Sequence, residues 1–162
     1  MLEYRKAALE DEAFLFELYV ETRREEWGAL GWSESELLAF LQMQFDMQMR
    51  SYAMQYPHID SQIVYMDELK IGRILISHTE QAVHLIDLTL TERYRRRGIG
   101  TELVQNVLKL GEQSGKPVRL HVLQHNPAKG LYERLGFKVT EDRYPYVAME
   151  WQHDQYKWEV ES

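Results

Sequence analysis

Residues Arg93 to Thr101 read "RYRRRGIGT": four arginines, two glycines and a threonine in nine positions. The chain around them is acidic, with 19 Lys plus Arg against 26 Asp plus Glu and a formal charge of −7. So much positive charge at one point suits either a nucleic-acid patch or a socket for one small, highly charged anion. The flanking sequence separates the two. Upstream, "AVHLIDLTL" (residues 82–90) is strand-like. Downstream, the segment through "GTELVQNVLKLGEQSG" (100–115) places Ile99, Leu103, Val107 and Leu110 on one helical face. A strand therefore runs into a glycine loop that opens a helix. First-turn amides of a helix lack intrahelical acceptors and lie at its positive end, so they attract anions. Gly98 and Gly100 have no side chain to hold an anion away from those amides. Thr101 adds a hydroxyl and Arg95, Arg96 and Arg97 add charge. The loop reads as a phosphate or pyrophosphate seat.

The common nucleotide motifs do not fit. A Walker loop needs Lys after its last glycine, and Gly100 is followed by Thr101. A dinucleotide fingerprint needs a third glycine where Leu103 stands and an acidic residue closing the next strand, and "PVRLHVLQ" (117–124) has none. What remains is R-x-x-G-x-G, from Arg95 to Gly100. Further on, "LHVLQHNPAKGLYERLGF" (120–137) reads as a strand, then Asn126 as N-cap, Pro127 at the first helical position and Gly136 as the stop of a short helix.

With these residues in place, the chain resembles the GNAT superfamily of acyl-CoA-dependent N-acyltransferases, whose signature is Arg or Gln, two free positions, Gly, one free position, then Gly or Ala. The resemblance is detailed from Val83 to Phe137, and the segment before Ile59 carries no family motif. It implies a strand that splays from its neighbour to leave a V-shaped cofactor slot. It also implies acetyl-CoA as cosubstrate. The main chain at Leu88, Thr89 and Leu90 would pair with the pantetheine arm. Arg95 and the amides of Arg96, Arg97, Gly98, Ile99, Gly100 and Thr101 would hold the pyrophosphate. Asn126 would touch the cofactor arm and Tyr132 would lie near the sulfur.

The rest of the chain fits one domain spanning 1–162. "LEYRKA" (2–7) reads as a strand and "DEAFLFELYVETRREEW" (11–27) as a helix. Ser33 with Glu36 forms a capping box for a second helix, which carries Leu37, Leu41, Phe45, Met49, Tyr52 and Tyr56 along one side. "IDSQIVYM" and "KIGRILIS" read as strands joined by "DELK", and "FKVTEDR" and "YVAMEWQ" as a final pair. The expected fold is α/β (α+β): a mixed, mostly antiparallel twisted sheet of about seven strands with about four flanking helices. No run is apolar enough to span a bilayer, and the opening "MLEYRKAALEDEAF" lacks a signal-peptide layout. A cytoplasmic protein with no membrane partner is expected. The 0 cysteines exclude a thiol nucleophile. The acidic balance argues against nucleic acid as a partner.

Acyl transfer to an amine needs a neutral amine, a polarised thioester and a protonated leaving thiolate. An amine of pKa ~10.4 is about one part in 10³ neutral at pH 7, so its proton must be taken up. Tyr132 is the candidate acid. His84 and His121 are the candidate protein ends of a water path for the amine proton, with an ascending pH limb expected near ~6–7, and Asp87 is the acidic alternative. No His/Glu pair on a helix suggests a metal. Trp27, Trp32, Tyr144 and Tyr146 would line an aromatic acceptor cleft, or pack in the core or between two copies in a homodimer. The methionines of the second helix read as adaptable core filling, with a malleable acceptor pocket as the alternative. The expected acceptor is the primary amine of a small molecule or peptide. The competing reading is an acyl-CoA-binding sensor without turnover.

Overall fold

The computed structural model describes residues 1–28 and 30–153. Seven strands form a sheet in the order β1-β2-β3-β4-β5-β7-β6. The strands are β1 (Leu2–Lys6), β2 (Ile59–Met66), β3 (Leu69–His78), β4 (Val83–Leu90), β5 (Val118–Leu123), β6 (Lys138–Arg143) and β7 (Tyr146–Trp151). The helices are α1 (Glu12–Gly28), α2 (Glu34–Gln55), α3 (Ile99–Ser114) and α4 (Ala128–Arg134). This is the mixed sheet with four helices that the sequence predicts. The chain forms two compact units, one of Met1–Leu75 with Asp87–Arg95, the other of Ile76–Ile86 with the described residues from Arg96 onward.

In the first unit, β1 pairs antiparallel with β2, Leu2 opposite Met66 and Lys6 opposite Gln62. The β2–β3 turn is tighter than "DELK": only Asp67 (φ 49°) and Glu68 (φ 71°) lie outside the strands. Two successive left-handed residues match the right-handed twist of a hairpin. The α2 start is capped as read, with the Ser33 hydroxyl accepting from the Glu36 amide at 3.2 Å and Glu36 accepting from the Ser33 amide at 2.9 Å. Tyr19, Val20, Leu37, Leu41 and Phe45 make the helical core. Leu41 is fully buried, worth roughly 2–3 kcal/mol in transfer free energy. Ahead of α1, the buried Asp11 accepts from the Ala8 amide at 2.8 Å and pairs with Lys70 on β3 at 2.7 Å. The Lys70 hydrogen bond first, then that amide, hold the Asp11 carboxyl below its ordinary pKa.

Gly72 on β3 is buried, and a Cβ there would stand 2.5 Å from the Thr89 carbonyl oxygen and 2.9 Å from Leu90 Cδ2. The missing side chain is what lets the β4 backbone come so near. The methionines of α2 depart from the core-filling expectation. Met43, Met47 and Met54 are exposed and only Met49 is half-buried. The α2 positions facing α1 are already filled by Leu37, Leu41 and Phe45, which leaves the remaining methionines on the opposite side.

In the second unit, α3 buries Ile99, Leu103, Val104, Val107 and Gly111. Leu110, expected on this face, is exposed instead. The buried stripe continues by four-residue steps from Val107 to Gly111, whose Cβ would meet Val118 Cγ2 at 2.7 Å. Close helix–strand approach at Gly111 turns Leu110 outward. The β5 strand alternates strictly, with Val118, Leu120 and Val122 buried and Arg119, His121 and Leu123 exposed. It pairs antiparallel with β7, and β7 with β6, across a register shift between Val139 and Glu141.

Candidate active site

The loop ahead of α3 contains two left-handed residues. Arg96 has φ 60° and Gly98, the N-cap of α3, has φ 79°. No side chain caps the helix, because the N-cap residue has none. The first bond within the turn runs from the Glu102 amide to the Gly98 carbonyl at 3.2 Å. The amides of Ile99, Gly100 and Thr101 precede it, so they have no intrahelical acceptor. A Cβ on Gly98 would meet nothing within 4 Å, and one on Gly100 only Leu131 Cδ2 at 3.9 Å. Open space, amide donors and the exposed Arg96 and Arg97 together suit a phosphate-bearing ligand.

Arg95 differs from its neighbours. In the first unit its Nε donates to the Leu90 carbonyl at 2.9 Å and its Nη2 to Glu21 at 3.4 Å. Glu21 also accepts from the Glu92 amide at 2.6 Å. Arg95 thereby braces the exit from β4. Glu21, on α1, escaped the sequence reading because nothing in its local pattern links it to a loop 71 residues away.

The parallel β4–β5 ladder joins Val83 to Val118, His84 to Arg119 and Leu85 to Leu120. The β4 strand continues to Leu90, through the main chain at Leu88, Thr89 and Leu90. His84 is half-buried, with its Nε2 3.4 Å from the Thr79 hydroxyl. Burial, then the charges of Arg119 and His121, push the His84 pKa below its ordinary 6.5. His121 is exposed on β5. Asp87, in the first unit, is occupied: Arg73 donates to its Oδ2 from Nε at 3.1 Å and from Nη2 at 2.5 Å, and Thr89 donates to its Oδ1 at 3.1 Å. Arg73, itself buried, was missed in the sequence because its partner lies 14 residues on, across the strand pair.

Asn126 is not the N-cap of α4; the helix starts one residue later than the sequence predicts. The N-cap of α4 is Pro127, and the Asn126 Oδ1 accepts from the Ala128 amide at 2.9 Å. Tyr132 is buried, its ring 5.5 Å from that of Phe137. Gly136 has φ 103° at the helix exit.

The aromatic residues proposed for the acceptor belong to different units, two in each. Trp27 and Trp32 stack at 6.2 Å, and both meet Phe40 edge-on, at 5.2 and 5.0 Å. Trp27 and Phe40 also pack against the helical core of the first unit, so this trio extends that core. Ala29, within the "WGALGW" segment, lies outside the described residues. Tyr144 and Tyr146, in the second unit, are exposed at the β6–β7 turn. Among the described residues, no group of three or more His, Asp or Glu is placed to hold a metal. No described helix is long and apolar enough to cross a membrane.

A family model described as the acetyltransferase (GNAT) family matches residues 8–137. N-alpha-acetyltransferase 50 of Danio rerio is 27% identical over 93 residues, covering 53% of this chain and 55% of that protein. D-amino-acid N-acetyltransferase HPA3 of Saccharomyces cerevisiae is 32% identical over 69 residues, 41% of this chain and 43% of that protein. The chain spans about half the length of these curated relatives. The PaiA N-acetyltransferase from Thermoplasma acidophilum, solved in complex with coenzyme A, matches with a TM-score of 0.71 over 94% of this chain and 99% of that one. At 23% identity, that likeness is one of fold. The family match covers most of the sequence and includes the glycine loop and the short helix beyond it: the chain belongs to the GNAT acetyltransferase family.

Proposed function

We propose that this protein transfers the acetyl group of acetyl-CoA to a primary amine by direct attack in a ternary complex. The observation that carries the reading is the start of α3: a glycine N-cap with no side-chain cap, open space at Gly98, and exposed Arg96 and Arg97. The amides from Arg96 to Thr101 would hold the pyrophosphate, with Arg95 bracing the loop and Asn126 touching the cofactor arm. The main chain at Leu88, Thr89 and Leu90 would run along the pantetheine. In the reaction the amine nitrogen bonds to the thioester carbon, the C–S bond breaks, and the amine loses a proton while the thiolate gains one. Tyr132 would make the second transfer, its phenol hydroxyl donating to the departing thiolate. A main-chain amide of β4 would stabilise the oxyanion.

Mixed amines and peptides, incubated with the protein and acetyl-CoA and read by mass spectrometry with coenzyme A release in parallel, test the reading directly. Acetylated product is expected. Acetyl-CoA binding with no product from any acceptor would favour the sensor reading.

The amine proton would leave through water, with His84 as its protein terminus and His121 as the second candidate. Asp87 is a poorer base, since Arg73 and Thr89 already donate to its oxygens. A His84 pKa below 6.5 keeps the ring neutral and able to accept a proton at pH 7. The ascending limb of kcat/KM should therefore have its midpoint below 6.5, lower than an unperturbed histidine would give. His84→Ala should erase that limb, leaving only the titration of the amine. A limb that survives His84→Ala, His121→Ala and the double variant would remove both histidines from the proton path.

A further inference from the structure

The first unit contains a small cavity of about 50 Å³, walled by Thr22 and Arg23 from α1, Gln48 from α2, Arg73 from β3, and Asp87 and Thr89 from β4. Its charges do not cancel. Arg73 and Asp87 neutralise one another, and Thr89 donates to the same carboxylate. Arg23 is the remaining charged group of the lining, which gives two guanidiniums against one carboxylate, a net of +1. Its Nε is shielded from solvent and has no hydrogen-bond partner. Its guanidinium carbon sits 5.0 Å from the centre of the Tyr19 ring, which holds the group in place without using any of its N–H donors.

A buried N–H of a charged group with no acceptor is costly, and native folds rarely retain one without a use. Water could satisfy the donor, but it leaves the +1 of the lining without a counter-charge. A monoanion satisfies both, and a carboxylate presents two coplanar oxygens to the fork of a guanidinium. The space fits that group and little more: ~50 Å³ holds a few waters, whereas whole drug-sized ligands need ~300 Å³ or more. One end of a ligand enters, not all of it. Position adds the last constraint. Asp87 and Thr89 wall the cavity, and they alternate along β4 with Leu88 and Leu90, whose main chain the proposed function assigns to the acyl-CoA arm. At ~3.3 Å per residue, the carboxylate and the reacting amine would be separated by only a few bonds.

We propose that this cavity is a carboxylate seat built on Arg23, and that the acceptor is a free amino acid with its amine and carboxylate a few bonds apart. The choice of amino acid over peptide rests on the acetyltransferase reading, whereas the seat itself does not. A peptide amino terminus has an amide where this seat calls for an anion, so peptides would be poor acceptors.

Two measurements separate the seat from the reaction. In the first, the side-chain Nε–H resonance of Arg23, assigned by its loss in Arg23→Lys, is followed during titration with acetate, using acetamide plus matched sodium chloride as control. Movement with acetate alone supports the seat even if the protein transfers nothing. A resonance that ignores acetate overturns it even if the protein is an active acetyltransferase. In the second, amino acids and their carboxamides are compared as acceptors in the wild type and in Arg23→Gln. Taking the acid-to-amide ratio of kcat/KM in each protein, and then comparing the two proteins, cancels the difference in amine basicity. The ratio should fall roughly 10- to 100-fold in Arg23→Gln, be partly restored in Arg23→Lys, and leave the KM for acetyl-CoA unchanged. An unaltered ratio, or a wild type that prefers peptides, overturns the amino-acid assignment while leaving acetyl transfer standing.

Discussion

Gly100→Val is expected to weaken acetyl-CoA binding at least ~100-fold, or ~2.7 kcal/mol, in a protein that still folds. The structure makes this substitution the discriminating one. A Cβ at Gly100 meets only Leu131 Cδ2, at 3.9 Å, an ordinary contact. The residue lies within the first turn of α3 and not in a left-handed conformation, and valine is no worse a helix former than glycine. What valine changes is the surface in front of the first-turn amides, where a pyrophosphate has to come close. Gly98→Val is a poorer test because Gly98 has φ 79°, where a β-branched residue is strained whatever the space around it. Calorimetric titration with acetyl-CoA, alongside a melting curve, reads both quantities. Near-normal affinity in a folded Gly100→Val protein would take the loop out of the cofactor site. Arg96→Ala should cost less, since the amides and Arg97 persist.

Tyr132→Phe is expected to lower kcat roughly 100-fold, with the KM for acetyl-CoA within a few-fold of wild type. The ring is buried and packs on Phe137 at 5.5 Å, so phenylalanine preserves the shape that α4 presents to its surroundings. Only the hydroxyl is lost. If proton donation to the thiolate limits turnover, kcat and kcat/KM should fall together. An unchanged kcat with a confirmed acceptor would mean that water protonates the thiolate and that Tyr132 serves packing alone.

The features legible in the sequence are those whose cause is local. The capping box of Ser33 and Glu36 and the strand at β5 each depend on residues within a few positions. The strand, glycine loop and helix around "RYRRRGIGT" could be read for the same reason. Features that depend on pairing across the fold were not legible. Arg73 with Asp87, Arg95 with Glu21, and Arg23 against a cavity walled from two helices and two strands need the tertiary structure to bring them together. Composition misled at α2, where a methionine-rich run suggested filling, although three apolar residues at four-residue spacing already covered its inner face. Leu110 shows the same limit on α3, where the nearness of Gly111 to β5 decides which neighbour faces outward.

Gly72 constrains how this sequence can vary over time. A single added methyl group there would have to displace the Thr89 carbonyl, which is backbone and cannot rotate aside as a side chain can. Position 72 is therefore closed even to alanine, although nothing in its own conformation demands glycine. Its tolerance is set by a residue 17 places away, through the Thr89 carbonyl and not through the Thr89 side chain. Every residue type carries that carbonyl, so no substitution at 89 would open position 72.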